Sequence, residues 1–147
     1  MNKPHSQQAE SKLLLNYSMP SQIVMFGELA VSVEDVIADR PDLAFSANLC
    51  LEELITNTIQ YGLANAPDHL IQIRIIRTRE WLEILVKDDA PQFDPFNQVA
   101  QPDLDASVED RPIGGLGVHL VRSLMDDASA SYDGTGNLIT LRKMLTH

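Results

Sequence analysis

Between His69 and Asp88 the chain alternates apolar and polar residues with a period of two. "HLIQIRII" and "EWLEILVKD" flank "RTRE", the pattern of two antiparallel strands joined by a turn. Upstream, "KLLLNYSM" reads as a first strand stopped by Pro20. Ser21 then suits the cap of a helix running to Asp39, with Ile23, Phe26, Ala30, Val33 and Ile37 at helical spacing. "RPD" at 40–42 reads as a connector, followed by a second helix over Leu43–Leu63. Near the C-terminus, "ASASYD" and "NLITLRKML" flank the turn "GTG" as two closing strands.

The stretch from Asp89 to Ile113 differs. Four of the eight prolines lie in it, Pro91, Pro95, Pro102 and Pro112, and no period is visible. A loop of that length in a small domain is a functional lid or a disordered segment. It ends at "GGLGVHLVRSLMDD", where three glycines precede an amphipathic helix reaching Asp126. The order is strand, helix, helix, strand, strand, lid, helix, strand, strand. Such an order predicts an α+β fold, a two-layer sandwich whose mostly antiparallel, mixed sheet carries helices on one face. Residues 1–11 read as a flexible tail, 12–147 as a single domain and 89–113 as its lid.

Composition narrows the function classes. A chain of 147 residues, 44% hydrophobic, builds one core and not two. Its net charge of −10 argues against direct nucleic-acid binding by the folded unit, but leaves binding of a single nucleotide open. No apolar leader and no long apolar run point to a secretory signal or a membrane span. With Cys50 the lone cysteine, a disulfide framework is excluded and a cytoplasmic setting is expected.

Three groups of residues carry candidate chemistry. On the second helix, Ala47, Leu51, Leu54 and Thr58 mark the core side. Glu53 and Asn57, four apart, share another face with Ser46, Cys50 and Gln60. Carboxylate and carboxamide together suit Mg²⁺ ligation or general-base work; equally, the face is simply solvated. Asp88 ends the face carrying Leu82, Ile84 and Val86, so it must find donors or mark the strand's end. A planar ligand's amino group would suit it, with Phe93 walling the pocket. Gly114, Gly115 and Gly117 open a helix whose free N–H groups attract phosphate, Arg111 standing just upstream as a clamp; a hinge or cap is the plain alternative. His119, in that helix's first turn, has no second ligand at metal spacing.

In this order and context, "LEELITNTIQYG", "VKDDAPQFDP" and "GGLGVHLVRSLMD" resemble the Bergerat (GHKL) ATPase superfamily. Within it they look most like the anti-sigma factor serine/threonine protein kinases, over residues 20 to 145. The resemblance implies ATP and Mg²⁺ as cofactors, Asn57 as the metal ligand and Glu53 as the residue that orients or deprotonates the acceptor hydroxyl. By the same resemblance Asp88 holds the adenine amino group, and Gly115, Leu116, Gly117 and the next amides, from Val118, cradle phosphates. Implied partners are a small anti-sigma-antagonist protein as phosphoacceptor and a sigma factor or other regulator as the sequestered target. A homodimer is typical of the family. Two departures stand out. Ala90 replaces the family's usual glycine and places a methyl near the base. The last strand lacks the Gly-Thr pair, Asn137 and Leu138 standing there, with Thr140 as a stand-in. A nucleotide-sensing module that sequesters a partner without efficient transfer is the rival expectation.

Overall fold

The computed structural model describes residues 11–98 and 115–145. Five strands, β1 (Lys12–Pro20), β2 (Leu70–Arg77), β3 (Trp81–Lys87), β4 (Asp127–Tyr132) and β5 (Asn137–Met144), form one sheet in the order β1-β2-β3-β5-β4. Every pairing is antiparallel. Period-two alternation sends Ile71, Ile73 and Ile75, then Leu82, Ile84 and Val86, then Ile139 and Leu141 into the core. Helices α1 (Phe26–Val36), α2 (Pro41–Asn57) and α4 (Gly115–Leu124) supply the facing layer through Leu29, Val33, Leu51, Leu54, Ile55, Val118 and Val121. The fold is thus the expected α+β sandwich. At roughly 25 cal/mol per Å² of buried apolar surface, this single layered core is its main stabilising term.

Several local expectations change. Ser21 does not cap a helix: its hydroxyl donates to Ala66 O (2.7 Å) and accepts from His69 N (3.1 Å), fastening the approach to β2. The chain instead passes a short 3₁₀ turn, Ile23–Met25, before α1, and α1 ends at Val36 while Ile37 still packs in the core. The "RPD" segment is no connector. Pro41 occupies the first turn of α2, where its missing N–H costs nothing, and Arg40 pairs with Asp42 at 2.9 Å. At its far end α2 gives way to a π turn, Thr58–Gly62, closed by Leu63 N donating to Thr58 O (2.8 Å).

The segment expected as lid is partly built. Its first residues fold into the short helix α3 (Pro95–Gln98), capped by Asp94 Oδ1 accepting from Phe96 N at 2.9 Å. Phe96 is buried, and Arg122 donates to its carbonyl (2.9 Å) while lying over its ring. Residues 99–114, with Arg111 and Gly114, lie outside the described residues. Between β4 and β5, Gly134 turns at φ 94°, and Asp133 Oδ1 accepts from Thr135 N, Thr135 Oγ1 and Gly136 N. The Thr135 hydroxyl first, then the backbone donors, hold the Asp133 carboxyl well below the ordinary carboxylate range.

Candidate functional site

Strand β3 delivers Asp88 to the core side of the sheet at its end, and its residue is only 5% exposed. Such a carboxylate needs donors, because an unpaired buried charge costs several kcal/mol. Three converge on Oδ1: Ala90 N (2.9 Å), Asn137 N (3.2 Å) and Asn137 Nδ2 (2.9 Å). Oδ2 has no partner among the described residues. The backbones also join, Asp88 N donating to Asn137 O at 3.0 Å. Gly136 is required here: a Cβ would overlap the Asp88 carbonyl, with Asp89 Cα only 2.9 Å away.

Asn137 is the residue sequence reasoning undervalued. It was expected as a departure in the last strand, with Thr140 as the stand-in. Thr140 sits one pleat out of phase with buried Asn137, Ile139 and Leu141, on the opposite face of β5 from Asp88's partner. It is therefore excluded from this corner, and Gly136 and Asn137 do the work there. The signal was available in outline: a glycine and an amide opening a strand beside an apolar face that ends in Asp.

Ala90 stands at the same corner, beside the π turn. It is 2% exposed, and its methyl lies against the π turn, 3.4 Å from where a Gly62 Cβ would stand. Phe93 lines the same spot, its ring 6.1 Å from that of Tyr61 by centroids. The alanine side chain thus fills a gap left by Gly62 in the protein interior.

The second corner belongs to α2. Asn57 is not on a solvated face but 2% exposed, and its Nδ2 is buried without a hydrogen-bond partner. Cys50, expected on the same polar face, is fully buried in the core. Burial first, and the Glu53 carboxylate second, push its thiol from 9.0 up to about 12. Of the residues expected on that face only Gln60 is exposed, whereas Glu53 is half-buried. Glu53 lies directly on Gly117 of α4. A Cβ at 117 would overlap its Oε2 and stand 2.7 Å from its Cδ. Gly117 and Val118 are buried; His119 points outward. Gly115 and Leu116 form the opening turn of the same helix.

The two corners meet through α2 and its π turn: Glu53 touches α4, and Gly62 touches the loop that follows Asp88. No group of three or more His, Cys, Asp or Glu suited to a metal occurs among the described residues. A groove of about 620 Å³ between α1 and α2, walled by Phe26, Ala30, Phe45 and Leu49, shares no residue with either corner.

The five-stranded antiparallel sheet covered by helices on one face has the architecture of the GHKL, or Bergerat, sandwich. Residues 28–143 match the histidine kinase-like ATPase domain family, and the chain belongs to that family. It is 28% identical over 129 residues to the serine-protein kinase RsbW of Listeria monocytogenes, covering 83% of this chain and 80% of that protein. To the serine/threonine-protein kinase BtrW of Bordetella bronchiseptica it is 27% identical over 99 residues, 67% of this chain and 69% of that one. Among solved structures, a chain of the Pseudomonas aeruginosa SiaB–SiaC complex shares the fold with a TM-score of 0.65 at 16% identity, covering 97% of this chain and 94% of that one. The histidine kinase AdeS of Acinetobacter baumannii shares it at 0.54 and 14%, over 91% and 69% of the two chains. No helix among the described residues is long and apolar enough to cross a membrane.

Proposed function

We propose that this protein is a Mg-ATP-dependent serine/threonine kinase that phosphorylates a small anti-sigma-antagonist protein and, in alternation, sequesters a sigma factor or another regulator. The observation that carries the reading is the seat of Glu53, a half-buried carboxylate lying on Gly117 in the first turn of α4. A phosphate held by the free amides of that helix start would lie beside a proton acceptor. The similarity to kinases that act on serine and threonine supports the same conclusion.

In this reading Asp88 Oδ2 accepts the adenine amino group, with Ala90 and Phe93 forming the floor and wall of the base site. Gly115, Leu116, Gly117 and Val118 offer backbone amides to the phosphates; Arg111 and Gly114, outside the described residues, stay candidates on the sequence alone. The unpartnered, buried end of the Asn57 amide fits a metal-bound nucleotide: turned to present its oxygen, it would hold Mg²⁺ shared with the phosphates. When bound, the ion supplies neutralisation of charge developing on the phosphates. Glu53 aligns the acceptor hydroxyl and takes its proton as that oxygen bonds to the γ-phosphorus and the bond to the β-bridging oxygen breaks, releasing ADP.

The test has two stages. Calorimetric titration of Mg-ATP and Mg-ADP should give micromolar binding to the wild type and its loss in Asp88→Asn. Transfer of the γ-phosphate to a Ser or Thr of small antagonist proteins should then be seen by mass spectrometry, and vanish in Glu53→Ala while nucleotide affinity stays. Transfer unaffected by Glu53→Ala removes Glu53 from the mechanism. Binding with no transfer to any antagonist turns the reading to a nucleotide-sensing sequestering module.

A further inference from the structure

Asn137 spends every polar atom it has on one neighbouring segment. It is 2% exposed, at the first position of β5. Its Nδ2 donates to Asp88 Oδ1 (2.9 Å) and Pro91 O (3.0 Å), and lies 3.5 Å from Ala90 O. Its Oδ1 accepts from Phe93 N (2.9 Å). Its backbone N–H donates to Asp88 Oδ1 (3.2 Å) and its carbonyl accepts from Asp88 N (3.0 Å). One side chain therefore ties Asp88 to the loop at 90–93, which leads into the lid. Three donors on one carboxylate oxygen leave that carboxylate a single orientation, and the other oxygen, Oδ2, is the one without a partner among the described residues.

We propose that Asn137 is a positioning residue for purine discrimination: it fixes the direction in which Asp88 Oδ2 is presented, so that the site favours a 6-aminopurine over a 6-oxopurine nucleotide. The inference rests on the nucleotide reading of the site. An exocyclic amine gives Oδ2 a donor, whereas a 6-oxo group puts an acceptor against an acceptor and leaves both unpaired. Discrimination of that kind requires the carboxylate to be unable to swing away. A threonine at 137 can donate one hydroxyl to Asp88 but has no second arm for Pro91 or Phe93. An alanine keeps the backbone bonds and loses all side-chain ones.

The experiment is calorimetric measurement of Mg-ATP and Mg-ITP affinities in the wild type, Asn137→Thr and Asn137→Ala, with exchange of the Phe93 amide followed in each unliganded protein. The wild type should prefer ATP by at least about tenfold. Asn137→Ala should bring that ratio close to one and speed Phe93 exchange; Asn137→Thr should fall between. A role confined to stability would weaken both nucleotides by the same factor. A ratio unchanged in the variants while Phe93 exchange rises therefore overturns the proposal. Should Asn137→Ala fail to fold, the ratio in Asn137→Thr decides alone, and a wild-type ratio there overturns it equally. A wild type that binds neither nucleotide, or both alike, overturns the reading of Asp88 itself and this inference with it.

Discussion

The Asp88 corner and the Asn57 corner are both buried, both polar and both built by a single side chain at the end of an element, yet they are finished in opposite ways. Asp88 Oδ1 takes three donors from within the protein. The Asn57 Nδ2 takes none of its possible partners. A saturated polar group adds to stability and fixes geometry; an orphaned one costs roughly 1–3 kcal/mol and is tolerated where something else is to complete it. The contrast separates a corner whose orientation is fixed from within, one carboxylate oxygen saturated and the other left open, from a corner whose amide nitrogen has no internal anchor among the described residues.

The sharpest way to expose the unfinished corner is through Glu53, the proposed acceptor of the hydroxyl proton. Glu53→Gln keeps the shape of the side chain and removes its basicity, so phosphotransfer should fall by about 10²–10⁴-fold with nucleotide affinity nearly unchanged. Single-turnover transfer to the antagonist protein measures it. Breaking the Asp88 corner should appear in stability as well as in nucleotide affinity. Asp88→Ala strands Ala90 N and both Asn137 donors, and urea denaturation should show a loss of about 3 kcal/mol.

Gly117→Ala should displace the Glu53 carboxylate, at a net cost of no more than about 1 kcal/mol, since the flexible acid can swing aside. The loss should shrink in the Glu53→Ala background, and a double-mutant cycle reads that coupling. Asn57→Ala should change stability by less than about 1 kcal/mol, or raise it, because it removes an unpaired buried N–H. The same variant should abolish any Mg²⁺-dependent gain in nucleotide affinity. A large fall in melting temperature there would erase the proposed distinction between the corners.

The smallest effect concerns pH. Cys50 has a folded pKa raised by burial and by Glu53, from 9.0 to about 12. Its contribution to stability is thus fully present below the unfolded value and is lost as pH rises through the folded one. Near neutral pH the thiol should resist iodoacetamide in the folded protein and react once urea unfolds it.

Much of this architecture was legible because local periods determine it. The strands followed from alternation at 71–75 and 82–86, and Asp88 stood out as an acid ending an apolar face. The burial of Cys50, and of Asn57 against its solvated-face alternative, escaped for a reason a single helix cannot reveal. Helix α2 is covered by the sheet on one side and by α4 on another, so residues off the main apolar stripe are still interior. Asn137 was harder still, its partners lying 44 to 49 positions away along the chain. An amide after a glycine turn reads locally as a turn residue, and only tertiary pairing reveals otherwise. Ser21 erred the same way, since a hydroxyl before a helix suits a cap but here serves a loop 45 residues downstream.

The fit of Glu53 over Gly117 also bears on descent. While the carboxylate at position 53 keeps its place, any side chain at 117 would push it aside. A lineage that gave up the acid would reopen 117 to drift, and larger residues would accumulate there. In any copy of this domain, the residue at 117 would then serve as a fossil record of whether the acid at 53 is still in use.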